Sequence, residues 1–170
     1  MKTWMCAMAA AAMLAACSPQ GQSASSPAPV AGTQAAIPDR HPLSRLPLTM
    51  LTVESGKKTH RFVVEVANTP EAQARGLMFR TELGDDEGMV FPSEPIAARS
   101  FWMRNTPIPL DIIFVGVDGR ISNIEANTVP YSLDPVSSVG LASAVLELRG
   151  GRAAELGIAA GDKVTWDAVE

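Results

Sequence analysis

The chain of 170 residues carries 14 basic and 18 acidic side chains, a net charge of −4, and its basic residues do not cluster. This charge balance disfavours nucleic acid and anionic lipid headgroups as partners. Only two histidines and two cysteines are present, which limits the metal and nucleophilic sites that the chain can build. The sequence therefore predicts no nucleic-acid partner, no cofactor and no metal.

Residues 1–16 have the composition of an export signal. One lysine precedes an apolar run of about 13 residues, which is shorter than the roughly 20 that a membrane-spanning helix needs. The small residues before Cys17 resemble the lipobox of bacterial lipoproteins, and Ser18 resembles the residue that favours sorting to the outer membrane of Gram-negative bacteria. The sequence thus predicts a lipoprotein that is acylated at Cys17, anchored in the cell envelope through that lipid, and exposed to the periplasm.

Residues 17–47 are predicted to be the acylated cysteine and a disordered tether. Ser, Ala, Gln, Pro and Gly dominate this segment, and such a composition buries too little apolar surface to offset the entropy of ordering the chain. As a flexible coil of about 30 residues, the tether has a reach of about 30 Å. Cleavage removes Cys6 and acylation consumes Cys17, so neither a disulfide nor a thiolate site is expected in the domain, residues 48–170.

The domain is predicted to be mostly β with two short helices, an α+β chain. Thr69 is the expected N-cap of the first helix, Pro70 its first residue, and Gly76 its stop. About seven short strands favour a compact small barrel or a sandwich. The predicted strands are 48–54, 59–67, 89–91, 110–117, 120–128, 144–148 and 163–166, and the predicted helices are 70–75 and 151–156.

Residues 101–115 are the central stretch, in which a few polar residues interrupt an apolar sequence. Read as an extended segment, the stretch places Trp102 and Arg104 on one face. Pro107 and Pro109 then bend the chain, because each removes a backbone donor. Residues 110–117 are almost continuously apolar, which is typical of a strand covered on both faces and ended by a hairpin turn at residues 118–119.

Six motifs stand out along the domain: Arg-Gly-Leu-Met-Phe-Arg at 75–80, Gly-Met-Val-Phe at 88–91, the stretch 101–114, Val-Leu-Glu at 145–147, Gly-Ile at 157–158 and Gly-Asp-Lys-Val at 161–164. In this order and spacing, they resemble the family called domain of unknown function 192. The resemblance extends over about residues 48–169. It implies a compact β-rich domain that is often exported, and it implies no established reaction.

A ligand pocket is the first functional hypothesis. Arginines among aromatic residues, next to polar groups at a bend, are suited to an anionic or hydroxylated small ligand. The other interpretation is an internal network of ion pairs, with Trp102 and Arg104 stacked as a cation–π pair. The candidate ligand-binding residues are Arg75, Arg80, Trp102, Arg104, Asn105, Thr106 and Asp111.

An enzymatic alternative uses two carboxyl groups, those of Asp111 and Glu147. Such a pair, about 5 to 9 Å apart and with separated pKa values, could hydrolyse an envelope polymer or glycan. The structural alternative for Asp111 is that it accepts backbone N–H groups left by the proline bend. The structural alternative for the acidic loop 85–87 is a solvated turn. We therefore expect a non-enzymatic envelope module with a small polar ligand or an envelope protein as partner, and a hydrolase as the alternative.

Two further chemistries have weaker sequence support. A Ser-His-Asp arrangement needs a histidine base, and only His41 and His60 are present. Met78, Met89 and Met103 offer thioether ligands for Cu(I), but each adjoins an aromatic or apolar residue, where methionine usually fills a core.

Overall fold

The computed structural model describes residues 37–169 and confirms a mostly β fold with two short helices. The seven predicted strands and two predicted helices are present in the predicted order, and two further strands of two residues each were not predicted. In chain order, the strands and helices are β1 Leu48–Ser55, β2 Lys58–Val66, α1 Pro70–Arg75, β3 Glu87–Ala97, β4 Ser100–Phe101, β5 Leu110–Gly116, β6 Ile121–Glu125, β7 Val136–Ser137, β8 Ala142–Arg149, α2 Arg152–Leu156 and β9 Lys163–Trp166.

Seven strands form one curled sheet in the order β6-β5-β8-β3-β2-β1-β9, and β4 pairs with β7 separately. All neighbours in the large sheet are antiparallel except β2 and β3, whose crossover contains α1. The two edges of the sheet approach each other, since a bridge joins Arg120 to Lys163 and the Ile121 N–H donates to the Asp162 carbonyl at 2.8 Å. The sheet therefore curves into a half-barrel.

Apolar side chains cover both faces of the central strands. The inner cluster fills the curl of the sheet and includes Leu51, Phe62, Ile113, Leu146 and Leu148. The outer cluster lies on the opposite face, beneath α1 and the segment that follows β4, and its members include Met89, Phe91, Met103, Ile112 and Phe114. Because β5 lies between the two clusters, all seven of its residues are buried, as its continuous apolar sequence predicts.

The first helix has the ends that its sequence predicts. Thr69 Oγ1 accepts a hydrogen bond from the Ala72 N–H at 3.2 Å, and Gly76 ends the helix at φ 50°. The third strand is longer than predicted, because residues 92–97 continue it past a bulge against β8. Proline is tolerated there, since the bulge leaves N–H groups outside the ladder.

The central stretch is less extended than its sequence suggests. Only Ser100 and Phe101 are in a strand, and a turn follows in which the Thr106 N–H donates to the Met103 carbonyl at 3.1 Å. Asn105 adopts φ 56°, a left-handed conformation that asparagine tolerates better than most residues. The prediction of an extended segment from 101 to 105 was therefore wrong beyond Phe101.

Part of the predicted tether lies against the domain. Arg40 bridges Pro47, and the Leu48 N–H donates to the Asp39 carbonyl at 3.1 Å. The signal peptide, Cys17 and the rest of the tether lie outside the described residues. Within residues 37–169, no helix has the length and apolarity needed to cross a bilayer.

Candidate functional site

A cleft of about 230 Å³ opens on the outer face of the sheet. Its walls come from the end of α1 and from the segment that joins β4 to β5, and its floor includes β8. Three arginines line it, namely Arg75, Arg99 and Arg104, and we call it the arginine cleft. A volume somewhat below the usual range of drug-sized sites, about 300 to 1,000 Å³, suits a small ligand.

Glu147 lies at the floor of the arginine cleft. It stands on β8 between Met89 of β3 and Ile112 of β5, and only 5% of its surface is exposed. None of the ion pairs formed within residues 37–169 includes it. Burial raises the pKa of Glu147 to about 8, so the carboxyl group is mostly protonated at neutral pH and presents a hydrogen-bond donor.

The three arginines of the cleft also lack carboxylate partners among the described residues. Arg99 donates to Gln73 Oε1 at 2.9 Å and lies over the Phe101 ring at 5.5 Å, and burial lowers its pKa. Arg75 and Arg104 are exposed. The cleft therefore combines a positive wall with a buried, mostly neutral acid, a combination that favours an anionic group with hydrogen-bonding neighbours.

Trp102 and Arg104 lie together at the cleft. The Arg104 guanidinium is 5.6 Å from the centre of the Trp102 ring, which is the cation–π pair that the sequence suggested. Thr106 lines the cleft and is buried, and its hydroxyl donates to the Arg104 carbonyl at 3.2 Å. The structure thus brings four of the seven candidate ligand-binding residues to one cavity: Arg75, Trp102, Arg104 and Thr106.

Asp111 lies away from the cleft, on the opposite face of the sheet. Asp111 pairs with Leu148, whereas Ile112 pairs with Glu147, and successive strand residues point to opposite faces. The Asp111 carboxylate is fully buried and accepts the N–H groups of Asn127 at 2.7 Å, Gly151 at 2.9 Å and Ala153 at 2.7 Å. The proposed carboxyl pair of Asp111 and Glu147 is therefore absent, and the hydrolase alternative loses its basis.

Arg80 and Asn105 also have roles outside the cleft lining. Arg80 forms an ion pair of 2.6 Å with buried Glu65, and His41 contacts both. The Asn105 side chain donates weakly to Met78 Sδ at 3.8 Å, and the Asn105 backbone carbonyl accepts the Phe79 N–H at 2.8 Å. Asn105 therefore shapes the turn that presents Arg104.

A sequence model of the family DUF192, described as "Uncharacterized ACR", matches residues 51–166. The chain belongs to the family of domain of unknown function 192. No curated protein matches it significantly.

The solved structures that resemble this DUF192 domain include two crystal structures. A protein of unknown function from Novosphingobium aromaticivorans DSM 12444 is 55% identical, with a TM-score of 0.76 over 78% of this chain and 94% of that one. A protein from Sinorhizobium meliloti 1021, provisionally named a transcription regulator, is 33% identical, with a TM-score of 0.69 over 71% of this chain and 95% of that one.

The other chemistries considered from the sequence find little support in this DUF192 domain. Nε2 of His60 is buried without a hydrogen-bond partner within residues 37–169, so none of those residues forms a triad with it. Met89 and Met103 are buried in the outer cluster. The acidic loop is an exposed turn, as the sequence predicted, and its carboxylates form surface ion pairs, Asp85 with Arg149 and Asp86 with Arg152.

Sequence reasoning missed Arg99 and Gln73 as cleft residues and gave Glu147 the wrong setting. Arg99 stands just before the central stretch, and Gln73 looks like an ordinary helix residue. For Glu147 a signal did exist: it interrupts Val145-Leu146-Glu147-Leu148, an otherwise apolar strand. Because burial of a charge is costly, a carboxyl group in such a strand either has a partner or serves a functional site.

Proposed function

We propose that this DUF192 domain is a non-enzymatic binding module of the cell envelope that holds a small anionic ligand in the arginine cleft. The observation that carries the proposal is a buried carboxyl group on the floor of a cleft lined by three arginines that lack carboxylate partners among the described residues. In such a site the arginines bind the anion, and the protonated Glu147 donates a hydrogen bond to it or to a neighbouring oxygen.

The position of these groups supports binding rather than structural pairing. A purely structural network would be dry and would join each arginine to an acid, as Arg80 joins Glu65 on another part of the domain. Arg75 and Arg104 are instead exposed at an open cavity. Their charges are therefore available to a ligand from solution.

The envelope setting rests on the first residues of the chain. The lipobox-like sequence before Cys17 supports a lipoprotein whose domain faces the periplasm, anchored through the acylated cysteine. Ser18 supports the outer membrane as its destination. The ligand would then be a small anion of the periplasm or an acidic group of an envelope molecule.

Titration of the full chain with acetate, lactate and inorganic phosphate, followed by amide chemical shifts, tests the proposal. We expect shifts at residues around the arginine cleft for at least one of these anions. Arg104→Gln and Arg99→Gln should each weaken that anion about ten- to a hundredfold, since each removes a charge-assisted hydrogen bond. Arg61→Gln is the matched control, because Arg61 is exposed on β2 and does not line the cleft.

The pH dependence gives a second readout. Above pH about 8 Glu147 ionises and repels an anion, so affinity should fall between about pH 6 and about pH 9. Glu147→Gln keeps a donor but does not titrate, so it should retain binding and lose this fall. The proposal is wrong if all three anions leave the amide shifts unchanged, or if the arginine variants bind as tightly as the Arg61 control.

A further inference from the structure

Three exposed aromatic side chains lie on loops beside the arginine cleft. Phe79, Trp102 and Tyr131 are 66%, 49% and 62% exposed. Phe79 follows α1, Trp102 follows β4, and Tyr131 lies in the connection between β6 and β7. Large apolar surfaces of this kind that gather in one region mark a binding surface more often than scattered single residues do.

Backbone hydrogen bonds hold these loops around one turn. The Phe79 N–H donates to the Asn105 carbonyl at 2.8 Å, and the Tyr131 N–H donates to the Thr106 carbonyl at 3.2 Å. A third bond runs from the Met103 N–H to the Ser132 carbonyl at 2.9 Å. The turn at residues 103–106, which carries Arg104, therefore anchors all three aromatic loops.

Two of the aromatic residues have backbones that suit other residue types better. Phe79 adopts φ 65° and Tyr131 adopts φ 62°, in the left-handed region where glycine and asparagine are favoured. A bulky residue in this conformation costs about 1 to 3 kcal/mol. Neither ring repays that cost by packing in the core, because both are exposed. Strained backbone of this kind occurs often at ligand-binding segments, so Phe79 and Tyr131 are candidates for contact with a ligand.

On the basis of the function proposed above, we infer that the arginine cleft binds an acidic sugar unit of an envelope glycan. The carboxylate of the sugar pairs with the cleft arginines, its hydroxyl groups meet Glu147 and Thr106, and the exposed aromatic rings pack on the apolar C–H faces of this unit or its neighbours. This ligand accounts for the positive wall, the buried donor and the aromatic loops together. A bilayer surface would use the aromatic rings and the arginines, but it would leave the buried carboxyl group at the cleft floor without a role.

The cleft size agrees with one bound sugar unit. A volume of about 230 Å³ holds a monosaccharide but not a long oligosaccharide. The following units of the glycan would lie outside the cleft, where the aromatic loops are exposed. We therefore expect the aromatic residues to increase the affinity for sugars and to leave the affinity for a simple carboxylate unchanged.

Titration of the full chain with sugars, followed by amide chemical shifts, tests this inference. The acidic sugars are D-glucuronate, D-galacturonate, N-acetylmuramate and N-acetylneuraminate, and the comparison ligands are acetate, which has only the carboxylate, and D-glucose, which has only the ring. We expect at least one acidic sugar to bind about tenfold more tightly than either comparison ligand. Phe79→Asn or Tyr131→Asn should weaken that sugar about two- to tenfold and leave acetate unchanged.

These variants are designed to stay folded. Asparagine tolerates the left-handed backbone at positions 79 and 131, so each change removes a ring without adding strain. Val117→Asn is the control, because Val117 is an equally exposed apolar residue just past the far end of β5, roughly 26 Å along the strand from Pro109. It should leave every affinity unchanged.

The outcomes separate this inference from the proposed function. If acetate, lactate or phosphate binds at the cleft and none of the acidic sugars binds more tightly, the sugar inference is overturned and the anion-binding function stands. If no anion or sugar binds, both are overturned. If the sugars fail, and vesicles containing phosphatidylglycerol bind the Cys17→Ala chain in a way that depends on Phe79 and Tyr131, the aromatic loops form a membrane contact and the inference is wrong.

Discussion

Asp111 shows how one buried carboxylate can hold two chain segments to a sheet. Its two oxygens accept three backbone N–H groups, two of them at the start of α2 and one at Asn127. Burial without an ion pair is tolerated because these charge-assisted bonds replace the lost hydration. The structural role that the sequence left open for Asp111 is therefore the right one, although the donors come from distant residues and not from the proline bend.

We expect Asp111→Asn to destabilise the domain by about 2 to 4 kcal/mol, because the amide of asparagine turns an N–H donor towards a backbone N–H. Urea unfolding measures the change. Asp118→Asn is the control, since Asp118 is exposed and accepts one backbone N–H at 3.1 Å. It should cost about 1 kcal/mol or less. Equal losses in the two variants would contradict the role assigned to Asp111.

Glu147 makes stability depend on pH in a direction that is unusual for an acid. Because burial raises its pKa from 4.5 to about 8, the folded state binds more protons than the unfolded state between these values. Stability should therefore fall as pH rises from about 5 to about 8, by at most about 1.4 kcal/mol per pH unit. The loss ends above pH about 8, where both states are ionised.

Glu147→Gln should remove this component, so the variant should gain stability relative to the natural protein as pH rises. The difference between the two urea midpoints, measured at intervals from about pH 5 to about pH 9, isolates the carboxyl group from other titrations. Glu54→Gln, at an exposed position of β1, should give a flat difference. A flat difference for Glu147→Gln as well would mean that its carboxyl group is solvated in the folded protein.

At the scale of elements, local chemistry predicted the fold well. The start and end of α1 follow from the local preferences of Thr69, Pro70 and Gly76. The apolar run of β5 likewise predicts that both faces of this strand are covered. Positions that depend on distant pairing were less predictable. The extension of β3 across Pro92 and Pro95 needs β8 beside it, and nothing in the local sequence announces that pairing.

The candidate site was predicted in part for the same reason. Trp102, Arg104 and Thr106 are close in sequence, so a local motif identified them. Glu147 reaches the same cavity only because β8 lies next to β5. Asp111 lies on the other face of the sheet, because successive residues of β5 point to opposite faces. Sequence spacing could not reveal which carboxylate faces which side of the sheet.

The ion pair that joins β2 to the segment after α1 gives a prediction at this scale. Arg80 holds the carboxylate of Glu65, whose side chain is 3% exposed, and His41 of the N-terminal segment contacts both. Arg80→Met leaves a buried charge without its main partner and should cost about 3 to 5 kcal/mol in unfolding free energy. The double variant Arg80→Met with Glu65→Gln should recover much of this loss, since no charge then remains buried.

Ligand binding separates this structural ion pair from the arginine cleft. Arg80→Met should leave the affinity for cleft ligands unchanged wherever the protein remains folded, whereas Arg104→Gln should weaken binding with little effect on stability. Urea unfolding and ligand titration of the same samples provide both readouts. If Arg80→Met weakened binding as much as Arg104→Gln, the cleft would have to be extended to include Arg80, as the sequence first suggested.

At the scale of the whole molecule, the proposed lipid anchor would decide where the proposed binding domain acts. If Cys17 carries the lipid, Cys17→Ala should move the protein from the membrane fraction to the soluble periplasmic fraction, because stable anchoring requires the acyl chains. Cys6→Ala is the matched control, since Cys6 lies within the predicted signal and should leave anchoring intact. Fractionation of cells that express each full chain, followed by immunoblotting, measures the distribution.

The same pair of variants connects the anchor to the site. The Cys17→Ala protein should bind cleft ligands with the affinity of the unaltered protein, because the residues that form the core and the cleft all lie in the domain, far along the chain from Cys17. A Cys17→Ala protein that stayed with the membrane would instead show an attachment other than the acyl chains, either the uncleaved apolar run of residues 1–16 or the exposed aromatic loops. Phe79→Asn in the Cys17→Ala background distinguishes the two, because it should release the protein only if the aromatic loops hold it.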